Sequence, residues 1–231
     1  MRLLMLSSSK DGDNGYLETA RPIIKQYLNN IDELLFIPYA GVTLGWDEYT
    51  AKVQHALADI KVSGIHQHSD PNTAITQARA IATGGGNTFN LLNELYKQKL
   101  IAPIQQQVKN NTPYIGWSAG ANICGNSIRT TNDMPIIAPP SFDALNLVPL
   151  QINPHYSDYQ PPGHNGETRA QRLAEFMVLE PAMPIIAIRE GGALLRDGNR
   201  LTLIGPHTGV LFKAGEQQEI ESGEDLSWLL E

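Results

Sequence analysis

The amino-acid sequence predicts an α/β fold, a three-layer sandwich around a mainly parallel sheet, with antiparallel strands near the C-terminus. Three observations predict it. Short continuous apolar runs recur along the chain, the form taken by strands buried on both faces. Helical patterns lie between them, as expected where crossovers join parallel strands. In the last third, Gly191-Gly192, Asp197-Gly198-Asn199 and Gly205-Pro206 punctuate short segments that read as antiparallel.

The elements follow in order. Leu3-Leu4-Met5-Leu6 is a first buried strand, too short for a signal-peptide core and running straight into Ser7-Ser8-Ser9. Helical spacing covers 17–28 and 46–57, with a strand at 34–37 between them. A strand at 80–83 leads into Gly84-Gly85-Gly86-Asn87, and the helix after Asn87 carries Leu91, Leu92, Leu95 and Tyr96 at helical spacing. A strand at 114–117 precedes small residues of helical character over 119–124. The run 150–154 is extended and ends in a loop. A helix over 166–177 puts Leu173, Phe176 and Met177 on one face, and a strand follows at 185–188. Asp197-Gly198 between 193–195 and 201–204 reads as a hairpin. Pro139-Pro140 and Pro161-Pro162 mark loops, so 1–231 reads as one domain.

Composition narrows the function classes. The chain has 231 residues, 42% hydrophobic, enough for one sizeable core. Its net charge of −7 repels phosphate backbones, so nucleic acid is not an expected partner. No apolar stretch approaches the roughly 18 residues that span a bilayer, so no membrane partner is expected. The lone cysteine, Cys124, excludes an intramolecular disulfide and fits a reducing, cytoplasmic setting. Its helical context points to core packing.

Gly116-Trp117-Ser118-Ala119-Gly120 fits G-x-S-x-G between a strand and a helix, the context in which that motif carries a nucleophile. Such a turn forces its central residue into strained dihedrals and projects the side chain above the sheet. The N–H of Ala119, at the helix start, faces a developing oxyanion. Gly84 to Asn87 lies at the same carboxyl rim of the sheet, where bare backbone N–H groups approach a ligand closely. It lacks the Lys-Ser/Thr ending of a phosphate loop, and Phe89 stands where a dinucleotide fingerprint has its third small residue.

A serine nucleophile needs a base and an orienting acid. His55, His66 and His68 read as surface or core-edge residues, and His207 lies in a Gly/Pro-rich loop. His155 and His164 are the candidates for the base, with His155 favoured because it ends an extended run. Glu190, after the 185–188 strand, and Asp133 are the candidates for the acid. Arg169 falls on the apolar stripe of its helix with Arg172 one turn on, a pattern of either a structural ion pair or a carboxylate-binding pair.

Several of these segments together resemble the peptidase E (α-aspartyl dipeptidase) family: 115–122 around the serine, 84–89, 128–135, Gln151-Ile152-Asn153-Pro154-His155, Gly166-Glu167-Thr168-Arg169, 36–43 and 46–50. The likeness covers nearly the whole chain and weakens after about Ala193. It implies a fold related to class I glutamine amidotransferases, with serine in place of cysteine, and metal-independent, cofactor-free hydrolysis of dipeptides with an N-terminal aspartate. It maps the nucleophile to Ser118, the base to His155, the acid to Glu190 or alternatively Asp133, and the oxyanion donors to Gly86 and Ala119. Arg169, Arg172 and Asn87 match substrate-binding positions; the arginine pair has the spacing found in the related cyanophycinases. The chain departs from the family at Arg189, where the family carries proline. The expected partner is a small peptide and the expected assembly a monomer or weak homodimer. Two other classes remain open. An α/β-hydrolase esterase would run Ser, Asp/Glu, His along the chain, whereas the favoured order here is Ser, His, Glu. The other is a binding module without turnover.

Overall fold

The computed structural model describes residues 1–163 and 165–231. The candidate base His164 therefore lies outside the described residues. Among the described residues the strands are β1 (Arg2–Leu6), β2 (Glu33–Ile37), β3 (Lys61–Gly64), β4 (Ile81–Thr83), β5 (Tyr114–Trp117), β6 (Gln151–Tyr156), β7 (Ile185–Arg189), β8 (Ala193–Asp197), β9 (Arg200–Ile204), β10 (Gly209–Lys213) and β11 (Glu216–Ile220). The helices are α1 (Arg21–Leu28), α2 (Trp46–Ala56), α3 (Pro71–Gln77), α4 (Thr88–Lys97), α5 (Ile101–Lys109), α6 (Ala119–Asn122) and α7 (Arg169–Leu179).

The main sheet has the order β3-β2-β4-β5-β1-β8-β9. Its first five strands are parallel, and the β8–β9 hairpin joins β1 antiparallel. Alternate side chains of each central strand enter opposite cores, which is why these runs are apolar throughout. Leu4, Leu6, Leu34, Phe36, Ile115 and Trp117 pack with Ile24, Tyr27 and Leu28 of α1 and Val53 of α2. Leu3, Met5, Leu35, Ile37 and Tyr114 pack on the other face with Leu91, Leu92 and Leu95 of α4 and Ile104 and Val108 of α5.

The mainly parallel main sheet is as expected; what differs is that β6 and β7 do not belong to it. They pair in parallel with each other, but in a separate four-stranded sheet of order β11-β10-β7-β6. One face of this sheet adds Ile152, Ile186, Ile188 and Leu211 to the core of the main sheet. The other packs Tyr156, Ile185, Ala187 and Phe212 against Leu173, Phe176 and Met177 of α7. Both faces are buried, so the apolar run of β7 looks like that of a main-sheet strand.

Two helix starts also differ from expectation. The first helix begins at Arg21 instead of residue 17, because Leu17 has φ 57° and Pro22 suits the first turn. The α7 helix begins at Arg169 instead of residue 166, where Thr168 and Gln171 form a reciprocal capping box.

The elbow is held by close backbone packing. A Cβ on Gly116 would lie 2.1 Å from Gly120 O, and one on Gly120 would lie 2.1 Å from Thr83 O. The short helix α6 therefore sits directly on β4 and β5, at a distance only glycines permit. Gly120→Ala is expected to destabilise the protein by at least ~2 kcal/mol through backbone displacement. Urea unfolding at equilibrium checks this, and a loss under ~0.5 kcal/mol, the range of neutral substitutions, would contradict the packing.

Candidate active site

Ser118 follows β5 directly and is the N-cap residue of α6, with φ 55° and ψ −116°. L-residues rarely adopt this region, and here surrounding bonds impose it. Its N–H donates to Leu6 O at 3.1 Å, while its carbonyl accepts from Ala121 N–H and Asn122 N–H at 3.0 and 2.9 Å. The side chain projects at the carboxyl rim, partly buried.

His155 sits where the β6–β7 register slips between Asn153 and Tyr156, and has φ 55°. That bulge turns the imidazole towards the main sheet. Nε2 lies 2.9 Å from Ser118 Oγ, and Nδ1 lies 2.6 Å from Glu190 Oε1. An ionised carboxylate only accepts, so Nδ1 carries the proton and Nε2 is free to accept the serine hydroxyl. Glu190 follows β7 directly, at the turn made by Gly191 with φ 78°.

The structure thus brings Ser118, His155 and Glu190 into one hydrogen-bonded line. Asp133 is elsewhere: its Oδ2 accepts from Thr88 N at 2.7 Å and Thr88 Oγ1 at 2.5 Å, at the start of α4. That carboxylate satisfies the orphan N–H of Thr88 and lies at the positive end of the helix dipole. No hydrogen bond links it to His155 among the described residues.

The glycine loop faces the serine. A Cβ on Gly85 would lie 2.8 Å from Ser118 Cβ. Gly86 has φ 138°, and a Cβ there would strike Ala40 O at 2.2 Å. Among the described residues, the N–H groups of Gly86 and Ala119 donate to no other protein oxygen. Asn87 is a loop brace: Oδ1 caps Asn90 N at 3.0 Å and Nδ2 donates to Met134 O at 2.8 Å.

Arg169 opens α7 and shares with His155, Glu190, Asp11 and Asp158 a cavity of about 760 Å³. Its Nη1 is buried and has no hydrogen-bond partner among the described residues. Burial and the neighbouring Arg172 push its pKa down, opposed by the carboxylates of Asp133 and Glu190. Arg172 is exposed, 3.8 Å from Glu167 Oε2, and lines a different depression beside Asp133, Phe176 and Leu179. The two arginines, three residues apart on one helix, thus do not share a cavity.

Sequence reasoning missed the supports. The Tyr49 hydroxyl donates to Gly85 O at 2.9 Å and accepts from Trp117 Nε1 at 3.3 Å, tying the glycine loop to the residue before the serine. Arg189 donates to Asp158 Oδ2 at 2.6 Å and Thr208 O at 2.9 Å, fastening the loop after His155 to β7 and the turn before β10. Tyr49 sits within an ordinary amphipathic pattern, and nothing in spacing marks it.

Residues 3–204 match peptidase family S51. The chain is 57% identical to peptidase E of Shewanella sp. strain ANA-3 over 231 residues, covering 98% of each. It is 54% identical to peptidase E of Shewanella amazonensis over 233 residues, covering 100% of this chain and 99% of the relative. A crystal structure of a peptidase from an acI-B1 actinobacterium shares the fold, with TM-score 0.67 at 16% identity over 97% of this chain and 96% of the other. No helix of the described residues is long and apolar enough to cross a membrane. A strained serine at a strand-to-helix turn and near-full-length likeness to these relatives agree: the chain belongs to peptidase family S51 and is a serine peptidase.

Proposed function

We propose that the protein is a cytoplasmic dipeptidase that hydrolyses small peptides with an N-terminal aspartate through a Ser118–His155–Glu190 triad. The observation that carries this reading is the continuous line from Ser118 Oγ through the imidazole to Glu190, at 2.9 and 2.6 Å. Ser118 attacks the α-carbonyl carbon of the aspartyl residue while His155 Nε2 takes its proton. The tetrahedral oxyanion meets the N–H groups of Gly86 and Ala119, each worth roughly 3 kcal/mol in comparable sites. His155 then returns the proton to the leaving amine, and the C–N bond breaks to give an acyl-enzyme. Water, deprotonated by the same imidazole, hydrolyses the ester and regenerates Ser118. Throughout, Glu190 keeps the imidazole oriented and stabilises its cationic form.

Aspartate specificity rests on Arg169. A buried guanidinium N–H without a partner among the described residues favours a substrate that brings a carboxylate. A neutral side chain would leave that group unpaired, and discrimination by such a site is strong.

The test is hydrolysis of Asp-Leu, Glu-Leu, Asn-Leu and Ala-Leu by the purified protein in the presence of a chelator. Cleavage confined to Asp-Leu, lost in Ser118→Ala, is expected; equal cleavage of Ala-Leu would refute the specificity. Arg169→Met is expected to lower kcat/KM for Asp-Leu by about 10³-fold or more, as loss of a buried charge pair implies. Glu190→Gln is expected to lose more kcat than Asp133→Asn, about 10²–10⁴-fold, because only Glu190 contacts the imidazole. The reverse order would move the orienting role to Asp133.

A further inference from the structure

We propose that Ser7 is a positioning residue that sets the catalytic base and acid in register with the nucleophile; this rests on the triad reading above. Ser7 follows β1 directly and is fully buried. Its N–H extends the β1–β8 pairing by donating to Gly192 O at 2.9 Å. Its hydroxyl donates to Ile188 O at 2.7 Å and accepts from His155 N–H at 2.8 Å.

These two contacts fall at the irregularity in the second sheet. The β6–β7 ladder pairs Asn153 with Ala187 and Tyr156 with Arg189, so the bulge at His155 interrupts the regular rungs. The Ser7 hydroxyl fills the gap, taking the His155 donor on one side and the Ile188 acceptor on the other. A hydroxyl does this with one atom because it donates and accepts at once. His155 is thereby held at φ 55°, a conformation unfavourable for an L-residue without such support. Ile188 lies two residues before Glu190, so the same oxygen also fixes the strand that delivers the acid.

The neighbouring residue performs the matching task for the nucleophile. Leu6 O accepts from Ser118 N–H at 3.1 Å. Two consecutive residues at the tip of β1 therefore hold the two left-handed residues whose side chains meet. Ser7 touches neither substrate nor reacting atoms, and it acts through His155 and Glu190.

The experiment compares Ser7→Ala and Ser7→Thr with wild type in steady-state Asp-Leu hydrolysis. It also follows the low-field proton NMR signal of His155 Nδ1–H, assigned by its absence in His155→Gln. In Ser7→Ala, kcat is expected to fall about 10–100-fold, as sub-ångström to ångström misplacement implies, with KM nearly unchanged and the low-field signal weakened. Ser7→Thr keeps the oxygen and is expected to recover most of both. If Ser7→Ala does not fold, Ser7→Cys, a weaker hydrogen-bonding group, is expected to show an intermediate kcat loss. Wild-type kcat with an unchanged low-field signal in Ser7→Ala, or wild-type kcat in Ser7→Cys, would overturn the proposal. Should the wild type cleave no aspartyl dipeptide, the substrate reading fails, yet the NMR response to Ser7 substitution still decides the positioning role by itself.

Discussion

The 2.9 Å contact between His155 Nε2 and Ser118 Oγ joins two separate sheets, and the site exists only while those sheets stay in register. The serine belongs to the main sheet through β5. The histidine and glutamate belong to the four-stranded sheet through β6 and β7. A one-residue slip of β5 or β6 within its own sheet would turn its side chains to the opposite face. The shared core is what resists such a shift. Ile152, Ile186 and Ile188 lie in the same apolar cluster as Leu3 and Met5 of β1. Hydrogen bonds add direction to that non-directional packing, notably Asn122 Nδ2 to Ile152 O at 2.6 Å between α6 and β6.

Both meeting residues have φ 55°. Each such conformation costs about 1–3 kcal/mol and persists only where surroundings over-determine it. At Ser118 the surroundings are glycines: Gly116 and Gly120 let α6 lie on the sheet, and Gly85 lets the loop approach the serine. At His155 they are polar contacts to the tip of β1. The strain has a chemical use. It aims each side chain out of its sheet, and among the described residues the N–H of Ala119 donates to no protein oxygen.

Much of this was legible in the sequence, and the unreadable parts share a cause. The elbow is a local pattern, five residues whose spacing already states the turn, and its observed geometry matches. The main-sheet strands announced themselves because burial on both faces makes a run apolar throughout. Membership of the second sheet was not legible: Ile185 to Ile188 is equally buried and equally apolar, and its partner strands are set by long-range pairing alone. The choice between Glu190 and Asp133 was open for the same reason, since both sit in loops at strand or helix ends. Only the fold sends one to an imidazole and the other to the first turn of α4. Arg169 was marked by a charge on an apolar stripe. Arg172 carried the same spacing signal but projects into another depression. Ser7 stood in a plain run of three serines, where nothing distinguishes a buried hydroxyl bridge from a loop.

The central claim is that Ser118 is activated by His155 across the sheet boundary. Its most direct test is covalent modification by a fluorophosphonate, read by intact-mass and peptide mass spectrometry with the rate of adduct formation. The account predicts one adduct per chain, on Ser118, forming far more slowly in His155→Gln. An adduct on another residue, or a rate indifferent to His155, would contradict it.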